Sequence, residues 1–147
     1  MTQLLCHLWG DYILQSDWMA QNKTKEWWPA AVHALLYSLT FLLLRPSATA
    51  CLVIFGTHVV IDRFRLARYV VWAKNWLLSP RYLWNPDGSF YLGPGVDGIT
   101  VGGAPPFNKC ASTGYPPERP AWLAVWLLII ADNVLHLTIN FFALRYL

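Results

Sequence analysis

Residues 47–66 read Ser-Ala-Thr-Ala-Cys-Leu-Val-Ile-Phe-Gly-Thr-His-Val-Val-Ile-Asp-Arg-Phe-Arg-Leu. The stretch is apolar or small up to Arg63 except at His58 and Asp62, and its length approaches the ~20 residues that a helix needs to cross a bilayer. His58 and Asp62 are four residues apart, so a helix presents both on one face. The same step recurs in His7 with Asp11 and in Asp132 with His136, so three of the four histidines have an aspartate partner at helical spacing. Imidazole nitrogen and carboxylate oxygen are ligands for divalent transition metals, and a buried cation offsets the cost of placing aspartate in hydrocarbon. The pattern predicts a metal site built between membrane helices.

Composition agrees. Of the 147 residues, 56% are hydrophobic and 13% charged, and the mean hydropathy is +0.34, too apolar for a soluble domain of this length. The net charge of +3 does not indicate nucleic acid, because the basic residues flank apolar segments and form no stripe with stacking aromatics. No signal peptide is expected: Lys and Arg are absent before Lys23, and Asp11 interrupts the first apolar segment. Cys6, Cys51 and Cys110 contain no C-x-x-C and support neither a disulfide framework nor a zinc knuckle; they read as packing residues, with Cys110 a candidate exposed thiol.

The expected fold is an all-α, integral membrane four-helix bundle, a single transmembrane domain over residues 1–147. Its helices are expected at about 2–21, 27–44, 47–66 with an amphipathic extension to about 78, and 121–144. The first is the weakest, because His7, Asp11, Gln15 and Asp17 interrupt it and an aspartate near a helix centre costs about 2.5 to 3.5 kcal/mol to insert. Pro29 suits the first turn of the second helix, and Pro46 marks the break before the third. Residues 79–120 are rich in Pro and Gly and are expected to be a long loop. Within it, Asn85-Pro86-Asp87-Gly88 predicts a small hairpin between Arg81-Tyr82-Leu83-Trp84 and Ser89-Phe90-Tyr91-Leu92. Such a loop is either a lid over one end of the bundle or a surface excursion without a role.

Nine of the eleven Lys and Arg lie in the connections between helices one and two (Lys23, Lys25) and between three and four (Arg63, Arg65, Arg68, Lys74, Arg81, Lys109, Arg119), leaving Arg45 and Arg145 opposite. The positive-inside bias therefore predicts a bacterial inner (cytoplasmic) membrane protein with both termini outside and loop 79–120 cytoplasmic. Trp27, Trp28, Trp76 and Trp122 then form an aromatic belt. At 1.5 Å per residue, His33, His58, Asp62, Asp132 and Asp11 come out roughly 6 to 17 Å from the cytoplasmic ends, with His7 and His136 somewhat deeper. The reversed order of Asp132 and His136, on a helix running the other way, keeps every aspartate on one level and every histidine on the next.

The candidate metal ligands are His7, Asp11, His33, His58, Asp62, Asp132 and His136, more than one tetrahedral ion with an open position uses, so one or two ions are expected, zinc favoured, with manganese or iron as alternatives. Asp11, Asp62 and Asp132 are the candidate catalytic carboxylates. Gln15, Tyr37, Asn133 and Asn140 are candidates to orient the ligands, or to make ordinary interhelical hydrogen bonds. A metal-free Asp-His network, including a proton or ion pathway, is the competing reading.

His7-Leu8-Trp9-Gly10-Asp11-Tyr12-Ile13-Leu14-Gln15-Ser16-Asp17-Trp18-Met19-Ala20, followed by Lys23, His33 and His58-Val59-Val60-Ile61-Asp62-Arg63, resembles an uncharacterised family of small polytopic membrane proteins from bacteria and their phages, a domain of unknown function. The resemblance covers about the first half of the chain and, less closely, Asp132 to His136. The loop 79–120 is longer than that family implies, so no role carries over to it. A looser similarity is to predicted membrane-bound metal-dependent hydrolases, an analogy of ligand type.

No G-x-S-x-G, P-loop, dinucleotide fingerprint or H-E-x-x-H occurs, and the only glutamates, Glu26 and Glu118, lie outside the expected helix cores. The function expected is a metal-dependent hydrolase of a lipid-linked or membrane-proximal ester or phosphoester. The alternative is a non-enzymatic protein using the site as a structural clamp or for metal or proton transit. Expected partners are the lipid bilayer and a lipid-linked substrate, with homo-oligomerisation left open.

Overall fold

A computed structural model describes residues 2–78, 82–84, 90–92, 107–117 and 119–147. Short polar caps set where its helices begin. Ser16 accepts a hydrogen bond from the Met19 amide at 3.3 Å and opens α2 (Asp17–Asn22); Ser47 accepts from the Ala50 amide at 3.0 Å and opens α4 (Ala48–Phe64). Before α2 come α1 (Thr2–Leu8) and a wide π-type turn, Trp9–Ile13. The sequence suggested one helix over about 2–21, but the chain breaks it at Leu14–Ser16, where the Ser16 cap starts a new helix with Asp17 in its first turn.

Next is α3 (Trp27–Phe41), with Pro29 in its first turn, tightened at its end into a 3-10 turn, Leu42–Leu44. Arg45 then adopts the left-handed conformation (φ 52°) ahead of Pro46, which ends the helix. Arg65 does the same after α4 (φ 52°), so the expected continuous extension is instead a separate helix, α5 (Ala67–Leu78). Beyond it, β1 (Tyr82–Trp84) pairs antiparallel with β2 (Phe90–Leu92), Leu83 opposite Tyr91. The expected turn at 85–88 lies outside the described residues. A short α6 (Phe107–Cys110) and the long α7 (Ala121–Tyr146) complete the chain.

Two compact units result. The first contains Met1–Leu66 with Asp132–Leu147, and here α3 packs against α1, the π turn, α2 and α4. Its apolar core is Cys6, Tyr37, Phe41, Ala50, Ile54 and Ala143. The second unit, Ala67–Ala131, is centred on Val71, Tyr115 and Ala124. There Gly114 takes φ +80°, and a Cβ at that position would run into the Arg68 carbonyl. Cys110, expected as a candidate exposed thiol, is fully buried.

Beside its apolar core, the first unit buries histidines while large apolar side chains face outward. His7 and His33 are 0% exposed and His58 1%, while Leu43 is 81%, Leu52 70% and Trp28 69% exposed. Two helical stretches among the described residues, Trp27–Leu44 and Ala121–Tyr146, are long and apolar enough to cross a membrane.

Candidate metal centre

Four chain segments of the first unit deliver the polar cluster. The π turn brings Asp11, α3 brings His33 and Tyr37, α4 brings His58 and Asp62, and α7 brings Asp132, Asn133, His136 and Asn140. Gly10 lets the π turn lie flat on α3: a Cβ there would stand 2.5 Å from Tyr37 Cδ2 and 3.1 Å from its Cα. Asp11, the next residue, thereby reaches the middle of the unit.

At the centre, His33 Nε2 and His58 Nε2 face each other at 3.0 Å. Asp11 Oδ1 is 3.3 Å from each of them, and Asp62 Oδ2 is 3.3 Å from His33 and 3.2 Å from His58. An ion with tetrahedral bonds of about 2.0–2.1 Å holds neighbouring ligand atoms about 3.3 Å apart, so these separations suit a small dication. Two groups have ligand spacing: Asp11 with His33 and His58, and His58 with Asp62 and His136. One imidazole Nε2 lone pair serves one ion, so His58 cannot give Nε2 to both groups at once.

The rings around His58 hold it in place. Tyr37 stacks on it with centroids 3.8 Å apart, and His136 at 4.2 Å. Neither His33 Nδ1 nor His58 Nδ1 has a hydrogen-bond partner among the described residues, and Asp11 Oδ1 and His136 Nε2 are likewise buried without one. A metal-bound imidazole ordinarily donates its other N–H to an acceptor. Stacking restrains the ring of His58 but gives its Nδ1 no acceptor.

The remaining predicted residues fall in graded positions. All three four-residue pairs are in contact: His7 Nδ1 with Asp11 Oδ2 at 3.3 Å, His58 with Asp62, and His136 Nε2 with Asp132 Oδ2 at 3.6 Å. His7 lies outside both groups of ligand spacing; its Nδ1 meets the Tyr37 hydroxyl at 2.9 Å and its Nε2 meets Asn133 Oδ1 at 2.9 Å. Asp132 also lies outside them, with its side chain 30% exposed. Asn140 donates to the Tyr37 hydroxyl, and Asn133 and the Tyr12 hydroxyl bond each other. Among the described residues, Gln15 makes no hydrogen bond to the cluster, and its Oε1 is buried without a partner.

Sequence reasoning missed Lys23 as a member of the site. Its ammonium lies 2.9 Å from Asp62 Oδ2. Lys23 counted there as an orientation charge and as one of the residues carrying the family resemblance, but not as a partner of Asp62.

A model of the family described as "Protein of unknown function (DUF3307)" matches residues 1–80, more than half of the chain. The chain belongs to the DUF3307 family. Residues 1–80 of the DUF3307 match include Asp11, Lys23, His33, His58 and Asp62, whereas Asp132 and His136 lie beyond it. No curated protein and no solved structure matches the chain.

Proposed function

We propose that the chain is a four-helix integral protein of the bacterial cytoplasmic membrane that holds a divalent metal ion, zinc favoured, and uses it to hydrolyse a lipid-linked or membrane-proximal ester or phosphoester. The membrane part is supported by the apolar exterior and polar interior of the first unit, an arrangement that hydrocarbon tolerates and water does not. The side occupied by Lys23, Lys25 and loop 79–120 is read as cytoplasmic from the charge asymmetry of the sequence.

The single observation that carries the metal part is the convergence, in the buried interior, of two imidazole nitrogens 3.0 Å apart with two carboxylates that each lie 3.2–3.3 Å from both of them. Two buried carboxylates need compensation, and one ammonium is the fixed cation in contact with them among the described residues. A bound dication supplies the rest and, as chemistry, acidifies a bound water and polarises the scissile oxygen. Asp11 or Asp62, whichever did not hold the ion, would be the base that accepts a proton from the attacking water, and the same buried network would return a proton to the alcohol as its bond to carbon or phosphorus breaks.

One observation favours the non-enzymatic alternative. Lys23 and His7 already satisfy part of the cluster through protein contacts, as a clamp or transit network would need. Metal analysis of detergent-purified, folded protein decides the first step, with about one or two equivalents of transition metal expected. Folded wild type without metal sinks the proposal. A metal-loaded protein that cleaves no member of a panel of lipid esters and phosphoesters moves the assignment to the clamp.

A further inference from the structure

Asp62 Oδ2 carries three contacts at once: His58 Nε2 at 3.2 Å, His33 Nε2 at 3.3 Å and the Lys23 ammonium at 2.9 Å. An ion held between His33 and His58 would draw on this same oxygen. Once it does, the oxygen's negative charge is shared and the ammonium stands a few ångströms from a dication. Lys23 then needs another anion. Its side chain is 18% exposed while that of Asp62 is 4% exposed, so Lys23 reaches the site from the surface of the unit.

The backbone around it is pinned. The Lys23 amide closes α2 on the Met19 carbonyl at 2.8 Å, and the next carbonyl, that of Thr24, accepts from Arg63 Nη1 at 2.8 Å while the Arg63 guanidinium lies over the Trp27 ring. Any movement is left to the flexible side chain. An ammonium has three donors, and Asp62 Oδ2 is the acceptor they have among the described residues. Two donors are free for a ligand.

We propose that Lys23 is the anion-binding residue of this site: on metal loading its ammonium passes from Asp62 to a phosphoryl oxygen of a ligand held by the metal, which makes the substrate a phosphate-bearing one. The inference rests on the metal reading above. A phosphoryl group has several anionic oxygens and can offer one to the ion and another to Lys23. A neutral carboxylic ester offers the ammonium no charge, which would leave it unpaired beside a dication.

The test uses the full chain loaded with cobalt(II), whose visible spectrum reports on its ligands, in phosphatidylcholine nanodiscs. One arm is titrated with inorganic phosphate, a second replaces part of the lipid with phosphatidic acid, and a third is titrated with acetate. The wild-type spectrum is expected to change with phosphate or with phosphatidic acid. Lys23→Gln is expected to keep its cobalt but bind the same probe at least about tenfold more weakly, and Lys23→Arg to retain most of the affinity. A response to phosphatidic acid alone assigns the phosphoryl group to a lipid headgroup, and to phosphate alone a soluble ligand; either supports the inference. It is overturned by a wild-type spectrum indifferent to both, by Lys23→Gln titrating like wild type, or by acetate matching phosphate. Failures separate cleanly: protein that takes up no metal ends both readings, whereas cobalt-loaded protein indifferent to phosphate ends this one alone.

Discussion

His58 holds the centre of the cluster through its position more than through any one bond. It touches His33, Asp11 and Asp62 and is stacked between Tyr37 and His136. His58→Ala is expected to lose bound metal and to destabilise the first unit by about 3–5 kcal/mol, since it opens a cavity and leaves two carboxylates facing each other without the ring. Metal content and denaturant unfolding of the variant check this, and unchanged values for both would contradict it. Tyr37→Phe tests the next layer. Loss of the hydroxyl strands Asn140 Nδ2 and one acceptor or donor of His7, at about 1–3 kcal/mol, with metal retained. These residues were legible because a four-residue step between His and Asp survives in any helix. Lys23 was not, because its contact joins the end of α2 to Asp62 in α4 across a long stretch of chain and leaves no periodic mark. Gly10 was equally hidden, since its importance lies in what its missing side chain would strike.

Elements were legible where apolar length marked them, as in α3, α4 and α7, and illegible where a single backbone angle decided. Arg45 and Arg65 both take a left-handed conformation that their side chains do not advertise; Pro46 still marked the first break, but at Arg65 nothing did, and so a run that reads as one helix to about 78 is two. Arg45→Gly is expected to stabilise the protein by up to about 1 kcal/mol by relieving the strained angle, read as a shift in the unfolding midpoint. The π turn responds in the opposite sense. Gly10→Ala pushes against Tyr37, so it is expected to cost about 1–3 kcal/mol and to weaken metal binding by displacing Asp11. Metal affinity unchanged in that variant would show that the turn does not position Asp11.

For the whole molecule, the proposed orientation is open to direct measurement. In a cysteine-free background, Lys25→Cys, exposed between α2 and α3, is expected to react with a membrane-impermeant thiol reagent only in inverted vesicles. Thr49→Cys, exposed in the first turn of α4, is expected to react only in intact cells stripped of their outer membrane. The reverse pattern would invert the topology. The division of the chain into units has a further meaning for biogenesis. Residues Ala67–Ala131 are interposed between the two stretches that make up the first unit, so a ribosome delivers Asp11, Lys23, His33, His58 and Asp62 long before His136. Four of the residues with ligand spacing are therefore in hand while α7 is still being translated, and the group of His58, Asp62 and His136 is the last to be completed.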